Sequence, residues 1–405
     1  MDMPREADIV VIGGGISGCG TAYYLAKGGL DVVVVEQRSI ASGASGRNGA
    51  QLVQMDGRTL NAARVSKRLP FVRADVELLR GLNDELGMDI ELQQFGSVDL
   101  SANDEESETL MNMTEIQKNG GDTIVEYLDR NDLLEYCPAI SEDIIGGKFT
   151  RTDGSVNPIK LAWAYALAAH HQYKVKLVLH TKVEDVIIKA ESALGVKTTR
   201  GDIMVNVGVV NCTNAWLIEF TKDIPVFPVQ NVTSVTEQVP KVPIITWDGT
   251  YRGNYGYGTS QKNGSLVVGS LPCRIPKSVE EHFDESVSYE DLERHAGFLT
   301  KQFPMLKHVS FIRIWAGVFA MTPDRLPYIG SIPGYRNYYI NTGYSNGMAY
   351  CPIGAKLMSE FILNDGRTSI PLDFVRPDRY LNMKFDVPKQ YNYTVLEHLL
   401  DEWNL

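Results

Sequence analysis

Residues 8–18 read Asp8-Ile-Val-Val-Ile-Gly-Gly-Gly-Ile-Ser-Gly18. The apolar, β-branched residues before the glycines are typical of a parallel strand that is covered on both faces. The glycines follow the pattern Gly13-x-Gly15-x-x-Gly18, which lets a backbone approach a dinucleotide pyrophosphate when it joins a strand to a helix. Glycine-rich turns are common, so the residues that follow decide what this pattern means.

The residues after the glycines complete a βαβ unit. Residues 19–27 are predicted to form a helix that stops at Gly28, and residues 31–35 a second apolar strand. That strand ends in Glu36, 18 residues beyond Gly18. At about this spacing a carboxylate accepts hydrogen bonds from both hydroxyls of an adenosine ribose, and it would repel a 2′-phosphate. NADP is therefore disfavoured, whereas NAD and FAD both remain open.

The composition limits the class of protein. The chain has 405 residues, of which 44% are hydrophobic and 22% charged, and its net charge is −11. This size supports a large core and two domains. The acidic balance argues against a nucleic-acid partner, because phosphate backbones are bound by clustered Lys and Arg. No apolar run approaches the length of a transmembrane segment and the N-terminus leaves no room for a signal peptide, so we expect a cytoplasmic location.

Neither cysteine nor histidine spacing indicates a metal site. The five cysteines are spread along the chain without a Cys-x-x-Cys pair, and the seven histidines are equally scattered. His170 and His171 follow a predicted helical stretch, where adjacent side chains point to different faces. We therefore expect no metal ion, and the spacing favours no disulfide.

The hydrophobic pattern predicts an α/β protein, α+β overall, with a Rossmann-like domain and a discontinuous antiparallel-sheet domain. The strand at 207–211 should rejoin the first sheet, and Lys262-Asn-Gly-Ser265 is a hairpin signal. The Rossmann-like domain comprises residues 1–88, 146–222 and 313–370. The substrate-binding domain comprises residues 89–145 and 223–312. A C-terminal tail, with apolar residues at helical spacing near its end, comprises residues 371–405.

A second glycine-rich segment follows Glu36 and reads Ser42-Gly-Ala-Ser-Gly-Arg-Asn-Gly-Ala-Gln51. Such a loop offers consecutive backbone N–H groups and the guanidinium of Arg47 to an extended pyrophosphate and to a ring beyond it. An NAD enzyme usually needs no such loop. The segment therefore favours FAD.

With this loop the chain resembles the D-amino-acid oxidase superfamily of flavoproteins, specifically the branch of glycine oxidase and the sarcosine oxidase β-subunits. The resemblance runs from Ile9 to about Leu363. Five matches are specific only in combination: Gly13-x-Gly15-x-x-Gly18 with Glu36, Gly43-Ala-Ser-Gly-Arg-Asn-Gly49, Val209-Val-Asn-Cys-Thr-Asn-Ala-Trp216, Trp315-Ala-Gly317 with Thr322-Pro-Asp324, and Gly343-Tyr-Ser-Asn-Gly-Met348.

The resemblance implies non-covalent, extended FAD, with its isoalloxazine at the junction of the two domains. The residues expected under the pyrophosphate are Gly13, Gly15, Ile16, Ser17 and Gly18. Those expected at the ribose and adenine are Glu36, Gln37, Arg38 and Val183. Those expected along the ribityl chain are Ala44, Ser45, Arg47, Asn48, Gly49, Ala50 and Gln51. Further contacts are expected from Asn214, Trp216, Gly317, Tyr344 and Asn346. Gly347 and Met348, at the start of the last helix, would direct N–H groups at the flavin N1–C2=O edge and stabilise the anionic reduced flavin.

Hydride transfer from a carbon beside a neutral amine needs little from the protein beyond orientation and desolvation, because the cofactor carries the chemistry. A missing catalytic triad is therefore expected. Tyr255 and Tyr257 alternate with glycines, so both side chains point to one face of a strand. By resemblance, a Tyr of this strand faces the flavin and the substrate carboxylate. The alternative is an ordinary tyrosine pair on a half-exposed sheet.

Three departures from the family bear on the substrate. Phe319 stands where glycine oxidase has a carboxylate-binding Arg, and Ala349 where monomeric sarcosine oxidase has a Lys. Gly317 stands where the latter attaches its flavin to a Cys, which excludes a covalent bond there. A substrate carboxylate would instead need one of three other cations, Arg47, Arg252 or Arg325. Phe319, with Tyr255 and Tyr257, is our candidate active-site residue, and together with Met321 it is equally compatible with core packing.

The sequence therefore predicts FAD-dependent oxidation of an amine or amino acid, with a secondary amine such as sarcosine or a proline derivative favoured and an imine as product. One alternative is a 2-hydroxy acid or glycerol-phosphate dehydrogenase, which is disfavoured because no His lies in a flavin-facing motif to take the hydroxyl proton. Another is an FAD-carrying subunit of a hetero-oligomeric amine dehydrogenase. Homo-oligomers and hetero-oligomers both remain open.

Overall fold

The computed structural model describes residues 3–55, 62–221, 223–239, 245–270, 273–274 and 283–381. The strands are β1 (Glu6–Ile12), β2 (Val32–Val35), β3 (Gln51–Leu52), β4 (Ser97–Ser101), β5 (Val125–Asp129), β6 (Gly146–Thr150), β7 (Gly154–Ser155), β8 (Lys176–Val178), β9 (Val183–Lys189), β10 (Ser192–Thr198), β11 (Ile203–Asn211), β12 (Phe227–Gln238), β13 (Thr246–Tyr251), β14 (Asn254–Ser260), β15 (Ser265–Ser270), β16 (Phe311–Met321), β17 (Tyr328–Ser331) and β18 (Tyr338–Thr342). The helices are α1 (Ile16–Lys27), α2 (Ala62–Leu86), α3 (Asp104–Asn119), α4 (Arg130–Tyr136), α5 (Pro158–Tyr173), α6 (Tyr289–Gln302) and α7 (Cys351–Leu363).

The first sheet is built around the predicted βαβ unit. Strand β1 pairs in parallel with β2 on one side and with β11 on the other. The parallel order continues to β8 beyond β2 and to β18 beyond β11. Strand β17 closes one edge in antiparallel orientation, while β9 and β10 branch from β11. The pairing of β11 with β1 confirms that the strand at 207–211 rejoins the first sheet.

The two faces of β1 pack into different cores. Ile9 and Val11 belong to a core shared with α1, α5 and α7, whereas Val10 and Ile12 belong to a core shared with β9 and β10. All four side chains are at most 4% exposed, as expected for a parallel strand covered on both faces. Burying a side chain of this kind contributes about 1.5–3 kcal/mol, so the strand is held in place from both sides.

The second sheet has the order β16-β12-β15-β14-β13-β4-β6-β5 and is antiparallel except between β13 and β4. Its β14–β15 hairpin turns at residues 261–264, where Gly264 has a φ of +87°, which confirms the predicted hairpin. Helix α6 packs on one face of this sheet through Phe298. The fold class predicted from the sequence is thereby confirmed.

Two strands extend the second sheet beyond the predicted boundaries. The divisions at 146 and 313 assigned β6 and most of β16 to the cofactor domain, but both pair within the second sheet. A strand pairs with strands that lie far away in the sequence, so the local hydrophobic pattern does not show which sheet it joins. The end of the predicted C-terminal tail, where apolar residues follow at helical spacing, lies outside the described residues.

Helix α1 begins at Ile16 rather than at the predicted residue 19. The N–H group of Ile16 donates to the hydroxyl oxygen of Ser45 at 3.0 Å. A side chain from a distant loop thus satisfies a backbone donor of the first turn, which allows the helix to start within the glycine motif. Helix α2 contains Pro70 in its interior.

Candidate active site

The glycine turn between β1 and α1 opens a cleft at the carboxyl ends of β1 and β2. Gly13 has a φ of +107°, which side chains rarely permit. A Cβ at Gly18 would lie 1.9 Å from the carbonyl oxygen of Gly13, so glycine is needed for the close contact between helix and strand. A Cβ at Gly15 would meet only Ser45, 3.0 Å from its hydroxyl oxygen, and would project into the cleft. These are the three separate roles of a dinucleotide-binding glycine motif.

Glu36, at the end of β2, is held by the backbone of the same cleft. One carboxylate oxygen accepts the N–H of Gly14 at 2.7 Å. The other accepts the N–H of Arg38 at 2.7 Å and the hydroxyl of Ser42 at 3.4 Å. A carboxylate has about four acceptor positions, so Glu36 can still accept bonds from ligand hydroxyl groups.

The loop from Ser42 to Gln51 is locked by its own side chains. Asn48 donates through Nδ2 to two loop carbonyls at 3.2 and 3.0 Å and accepts the N–H of Ala50 at 2.8 Å. Ala50 itself has a φ of +61°. These hydrogen bonds therefore fix the backbone of the loop where it borders the cleft.

A third glycine-rich segment borders the cleft after β18. Gly343 has a φ of +79°, and the N–H of Tyr344 donates to Oδ1 of Asn214 at 2.8 Å. Gly347 and Met348 lie in a 3-10 turn, Gly347–Ala349, and α7 begins only at Cys351. The expectation that Gly347 and Met348 start the last helix is therefore wrong in detail, because the tight turn comes first.

The cleft shares part of its wall with a cavity that reaches the second sheet. The cleft and the cavity have about 1080 and 1020 Å³ of empty space and share the residues Ala44, Asn48, Phe319, Ser345, Gly347 and Met348. The predicted cofactor residues that line the cleft are Gly13, Gly15, Ile16, Ser17, Glu36, Gln37, Arg38, Ala44, Ser45, Asn48, Val183, Asn214, Trp216, Tyr344, Gly347 and Met348. Those that line the cavity without the cleft are Arg47, Gly49, Gln51, Gly317 and Asn346. Two line neither space, Gly18 and Ala50.

The residues present fit an extended dinucleotide. Gly15 leaves room on the floor of the cleft, and the carboxylate of Glu36 stands at the end of β2. Gly347 and Met348 line both spaces, so a ring system at this end of the cleft would lie beside the aromatic-lined cavity. The match of each residue to a part of the cofactor stays a prediction.

One row of cross-strand neighbours spans the second sheet. Its members, opposite one another on β6, β4, β13, β14, β15 and β12, are Lys148, Asp99, Asp248, Tyr257, Gly269 and Thr233. The three of these that line the cavity are Asp248, Tyr257 and Thr233. Side chains alternate between the faces of a strand, so this row defines the polar face of the sheet.

The other face of the sheet is closely packed. A Cβ at Gly256 would lie 2.6 Å from the ring of Phe298, and one at Gly258 would lie 2.2 Å from the ring of Trp247. The glycines between the two tyrosines therefore make room for large rings behind the sheet. The strand of Tyr255 and Tyr257 is therefore closely packed on the face opposite the cavity.

The structure brings the three candidate active-site residues together at the cavity. The Tyr257 hydroxyl accepts from Nδ2 of Asn231 at 3.0 Å and lies 3.2 Å from Oγ1 of Thr233. Burial raises the pKa of Tyr257 to about 12, although these hydrogen bonds oppose the shift, so the phenol is neutral at physiological pH. Tyr255 and Phe319 pack against the same small apolar cluster, which includes Met321. Met321 is thus a core residue as well as part of the cavity wall.

Of the three candidate cations, Arg47 and Arg325 line the cavity, and Arg252 does not. The guanidinium of Arg252 lies over the ring of Tyr251 at 5.2 Å. Arg47 donates through Nη1 to the carbonyl of Ala316 at 3.2 Å, and the same atom lies 2.5 Å from Oε2 of Glu285. The guanidinium of Arg47 in the cavity wall is thus already paired with a carboxylate, and Arg325 brings a second guanidinium to the same wall.

Asp248, which no sequence motif predicted, is the one acidic side chain among the described residues that line the cavity. It is 6% exposed. The only local signal was a single Asp between Trp247 and Gly249 in an otherwise uncharged strand. Its neighbours in space come from other strands, and the hydrophobic pattern does not show them.

Other features of the described residues concern metals and membranes. No group of three or more His, Cys, Asp or Glu side chains is placed to hold a metal ion in the described ranges. All five cysteines are buried free thiols. Within the same part of the chain, no helix combines the length and the apolarity that crossing a bilayer requires.

Comparison with known proteins gives a family match over most of the chain. The family model described as "DAO: FAD dependent oxidoreductase" matches residues 8–361. The crystal structure of L-proline dehydrogenase from P. horikoshii is similar with a TM-score of 0.82 and 30% identity, over 93% of this chain and 98% of that one. These matches confirm the predicted family, the fold class and the FAD cofactor.

Curated relatives have similar identity but different lengths. Mitochondrial dimethylglycine dehydrogenase of Rattus norvegicus is 27% identical over 396 residues, 93% of this chain but 45% of that protein. Glycine oxidase of Bacillus subtilis (strain 168) is 27% identical over 373 residues, 89% of this chain and 94% of that protein. Sarcosine oxidase subunit beta of Arthrobacter sp is 26% identical over 361 residues, 85% and 83% respectively. The chain thus spans less than half of the first relative and most of the other two.

Proposed function

Because the chain belongs to the DAO family of FAD-dependent oxidoreductases, we propose that it oxidises an amine or imino acid at the carbon next to nitrogen. A secondary amine, such as sarcosine or a proline derivative, is the favoured substrate, and the product is an imine that water hydrolyses. The observation that carries the proposal is the shared wall of the two spaces, which sets the glycine-lined cleft directly beside a cavity walled by Tyr255, Tyr257 and Phe319.

The cleft residues are assigned to the cofactor as follows. Glu36 binds the adenosine ribose, and the backbone N–H groups of the Gly13–Gly18 turn bind the pyrophosphate. The N–H groups of Gly347 and Met348 face negative charge at the flavin end of the cleft. When FAD is bound, it supplies the acceptor for a hydride. Support for this assignment comes from the cleft lining and from the hydrogen bonds that hold Glu36.

The protein contributes orientation and exclusion of water. Tyr257 is a neutral phenol fixed by Asn231 and Thr233, so it offers a directed hydrogen bond without a charge. Phe319 and Met321 present apolar surface, which favours a desolvated, uncharged amine over a hydrated one. Arg325 and Arg47 are the cations that line the cavity for a substrate carboxylate.

The substrate is identified by mixing the holoprotein anaerobically with sarcosine, other N-methyl amino acids, prolines, D-amino acids and 2-hydroxy acids. Loss of the flavin absorbance with amines supports the proposal, and the member that acts fastest names the substrate class. Loss of absorbance with 2-hydroxy acids alone would replace the proposal with the alcohol-oxidising alternative. Repeating the positive reaction in air distinguishes an oxidase from a dehydrogenase.

A second proposal concerns assembly: the chain acts as the FAD-carrying subunit of a hetero-oligomeric enzyme. It is supported by the similarity to a protein named as sarcosine oxidase subunit beta. Light scattering during gel filtration gives the mass of the purified chain alone. If that chain reduces an artificial dye with substrate at full rate, no partner is required for the chemistry.

We also propose a cytoplasmic location. The five buried free thiols support it, since disulfides form mainly in oxidising compartments.

A further inference from the structure

Asp248 is a buried carboxyl group in the wall of the cavity. It lies on β13, where Asp99 of β4 and Tyr257 of β14 are its cross-strand neighbours. The residue is only 6% exposed, yet it lines the cavity together with Tyr255 and Gln51. Burying a carboxyl group costs free energy, so its position beside the space for a substrate needs a physical reason.

The groups around Asp248 hold it at the cavity. The phenol of Tyr255 donates a hydrogen bond to it, and Nε2 of Gln51 lies 3.5 Å from Oδ1. The charges that act on it from neighbouring strands are Asp99 and Lys148. Burial, together with the charge of Asp99, raises the pKa of Asp248 well above its usual value, and the hydrogen bonds and Lys148 oppose this only in part.

The charges in this part of the sheet do not balance. Nζ of Lys148 lies 2.9 Å from Oδ2 of Asp99, and Lys148 is itself 4% exposed. No Lys or Arg of the described residues forms an ion pair with Asp248. If both aspartates are ionised, Lys148 balances only one of them, and the guanidinium groups of Arg47 and Arg325 line the same cavity from other segments without an ion pair to Asp248. A substrate cation that enters the cavity next to Asp248 would form the ion pair that this carboxylate lacks among the described residues.

We propose that Asp248 binds the nitrogen of the substrate amine and takes one proton from it. This inference rests on the proposed function, because it concerns the same cavity and the same substrate class. Aliphatic amines are ammonium ions at neutral pH. An ammonium nitrogen has no lone pair, so it cannot assist the departure of hydride from the adjacent carbon.

The proton transfer is balanced and needs no further reactant. One N–H bond of the ammonium breaks and one O–H bond forms on the carboxylate of Asp248. The ion pair becomes a neutral amine beside a neutral carboxylic acid. Burial favours the neutral pair over the ion pair, because desolvation penalises charged forms. The cavity thus converts the abundant form of the substrate into the form that can lose hydride.

The inference requires a particular pH profile of the wild-type holoprotein. A productive complex contains one proton shared between Asp248 and the substrate nitrogen. kcat/KM therefore stays level below the pKa of the free amine. It falls above that pKa, where both partners are deprotonated, and it falls in acid, where Asp248 is protonated before the ammonium ion binds.

Asp248→Asn removes the proton acceptor at nearly constant size. This variant can use only the free amine, so its kcat/KM falls about tenfold for each pH unit below the pKa of the amine and is level above it. Asp153→Asn is the matched control. Asp153 is 1% exposed, is hydrogen-bonded to Ser97 and Gln54, and does not line the cavity, so its variant keeps the wild-type profile. Asp248→Glu retains a carboxyl group and should restore the activity on the acid side.

The possible outcomes separate the inference from the proposed function. A wild-type kcat/KM that rises about tenfold per pH unit up to the pKa of the amine overturns the inference, even if no variant folds. A wild-type profile in the flavin-containing Asp248→Asn variant also overturns it, while the proposed function stands. If no amine reduces the wild-type flavin, the proposed function and the inference both fail.

Discussion

The ring of Tyr257 lies over Gly269 of the neighbouring strand, and a Cβ built at Gly269 would stand 2.1 Å from Cζ of that ring. Because Gly269 has no side chain, the ring can cross β15 and place its hydroxyl beside Thr233 on β12. The phenol is buried in this position, and burial raises its pKa, which is why it stays protonated. One glycine thus determines where the central phenol of the cavity stands.

Gly269→Ala should destabilise the fold by about 1–3 kcal/mol, because the new methyl group must displace a packed ring. The free energy of unfolding in urea measures this loss. In a Tyr257→Ala background the same substitution should cost much less, since the displaced ring is absent. Equal costs in both backgrounds would show that the contact with Tyr257 is not the reason for the glycine.

Gly15→Ala should abolish most FAD binding without unfolding the chain. The backbone φ of −82° at Gly15 suits alanine, but the methyl group would project into the cleft. The FAD content of the purified variant, read from its absorbance, should fall at least tenfold. Gly81→Ala is the control, because Gly81 lies in α2 and a Cβ there would have nothing within 4 Å of it. It should keep full FAD content and gain about 0.5–1 kcal/mol of stability.

Arg379→Lys should destabilise the protein by about 2 kcal/mol, because a lysine cannot form both bonds of the guanidinium. Nε and Nη2 of Arg379 each lie 2.9 Å from an oxygen of Asp324, and both side chains are largely buried, 11% and 13% exposed. Arg376 makes the same two-bond contact with Asp378 at the surface. Arg376→Lys should therefore change the free energy of unfolding by less than about 0.5 kcal/mol. Similar losses at both positions would argue against burial as the cause.

His295 should make the fold less stable in acid. Burial, together with the charge of Arg294, lowers the pKa of His295 to about 4, although Asp291 opposes the shift. The unfolded chain therefore binds a proton at higher pH than the folded chain does. Above pH 6.5 this difference in pKa does not lower the free energy of unfolding. As the pH falls from 6.5 towards 4, it lowers the free energy of unfolding by up to about 1.4 kcal/mol per pH unit.

His295→Gln should remove this part of the pH dependence. Glutamine can still bond to Ser234, whose Oγ lies 2.7 Å from Nδ1 of His295. The free energy of unfolding, measured from about pH 7 to about pH 4, should fall less steeply in the variant than in the wild type. His308→Gln, at a position outside the buried core, should keep the wild-type slope. Parallel curves for all three proteins would contradict the prediction.

Much of the cofactor cleft was predictable, because its parts are local. The strand, the glycine turn and Glu36 lie within 29 residues, from 8 to 36, and each carries a backbone requirement that only certain residues meet. The hairpin after Lys262 was predictable for the same reason. The start of α1 was not, since the acceptor for the Ile16 N–H is the side chain of Ser45 in a loop that folds back.

The sequence by itself determined a dinucleotide-binding sheet, a second antiparallel sheet and the family to which both belong. The tertiary structure alone decided which charged groups stand at the cavity beside the two tyrosines. Lys148, Asp99, Asp248 and Tyr257 are neighbours only because four strands pair in one register. Register is set by long-range contacts between strand edges, so no local pattern reveals that a carboxyl group stands beside the tyrosines where an amine is expected to bind.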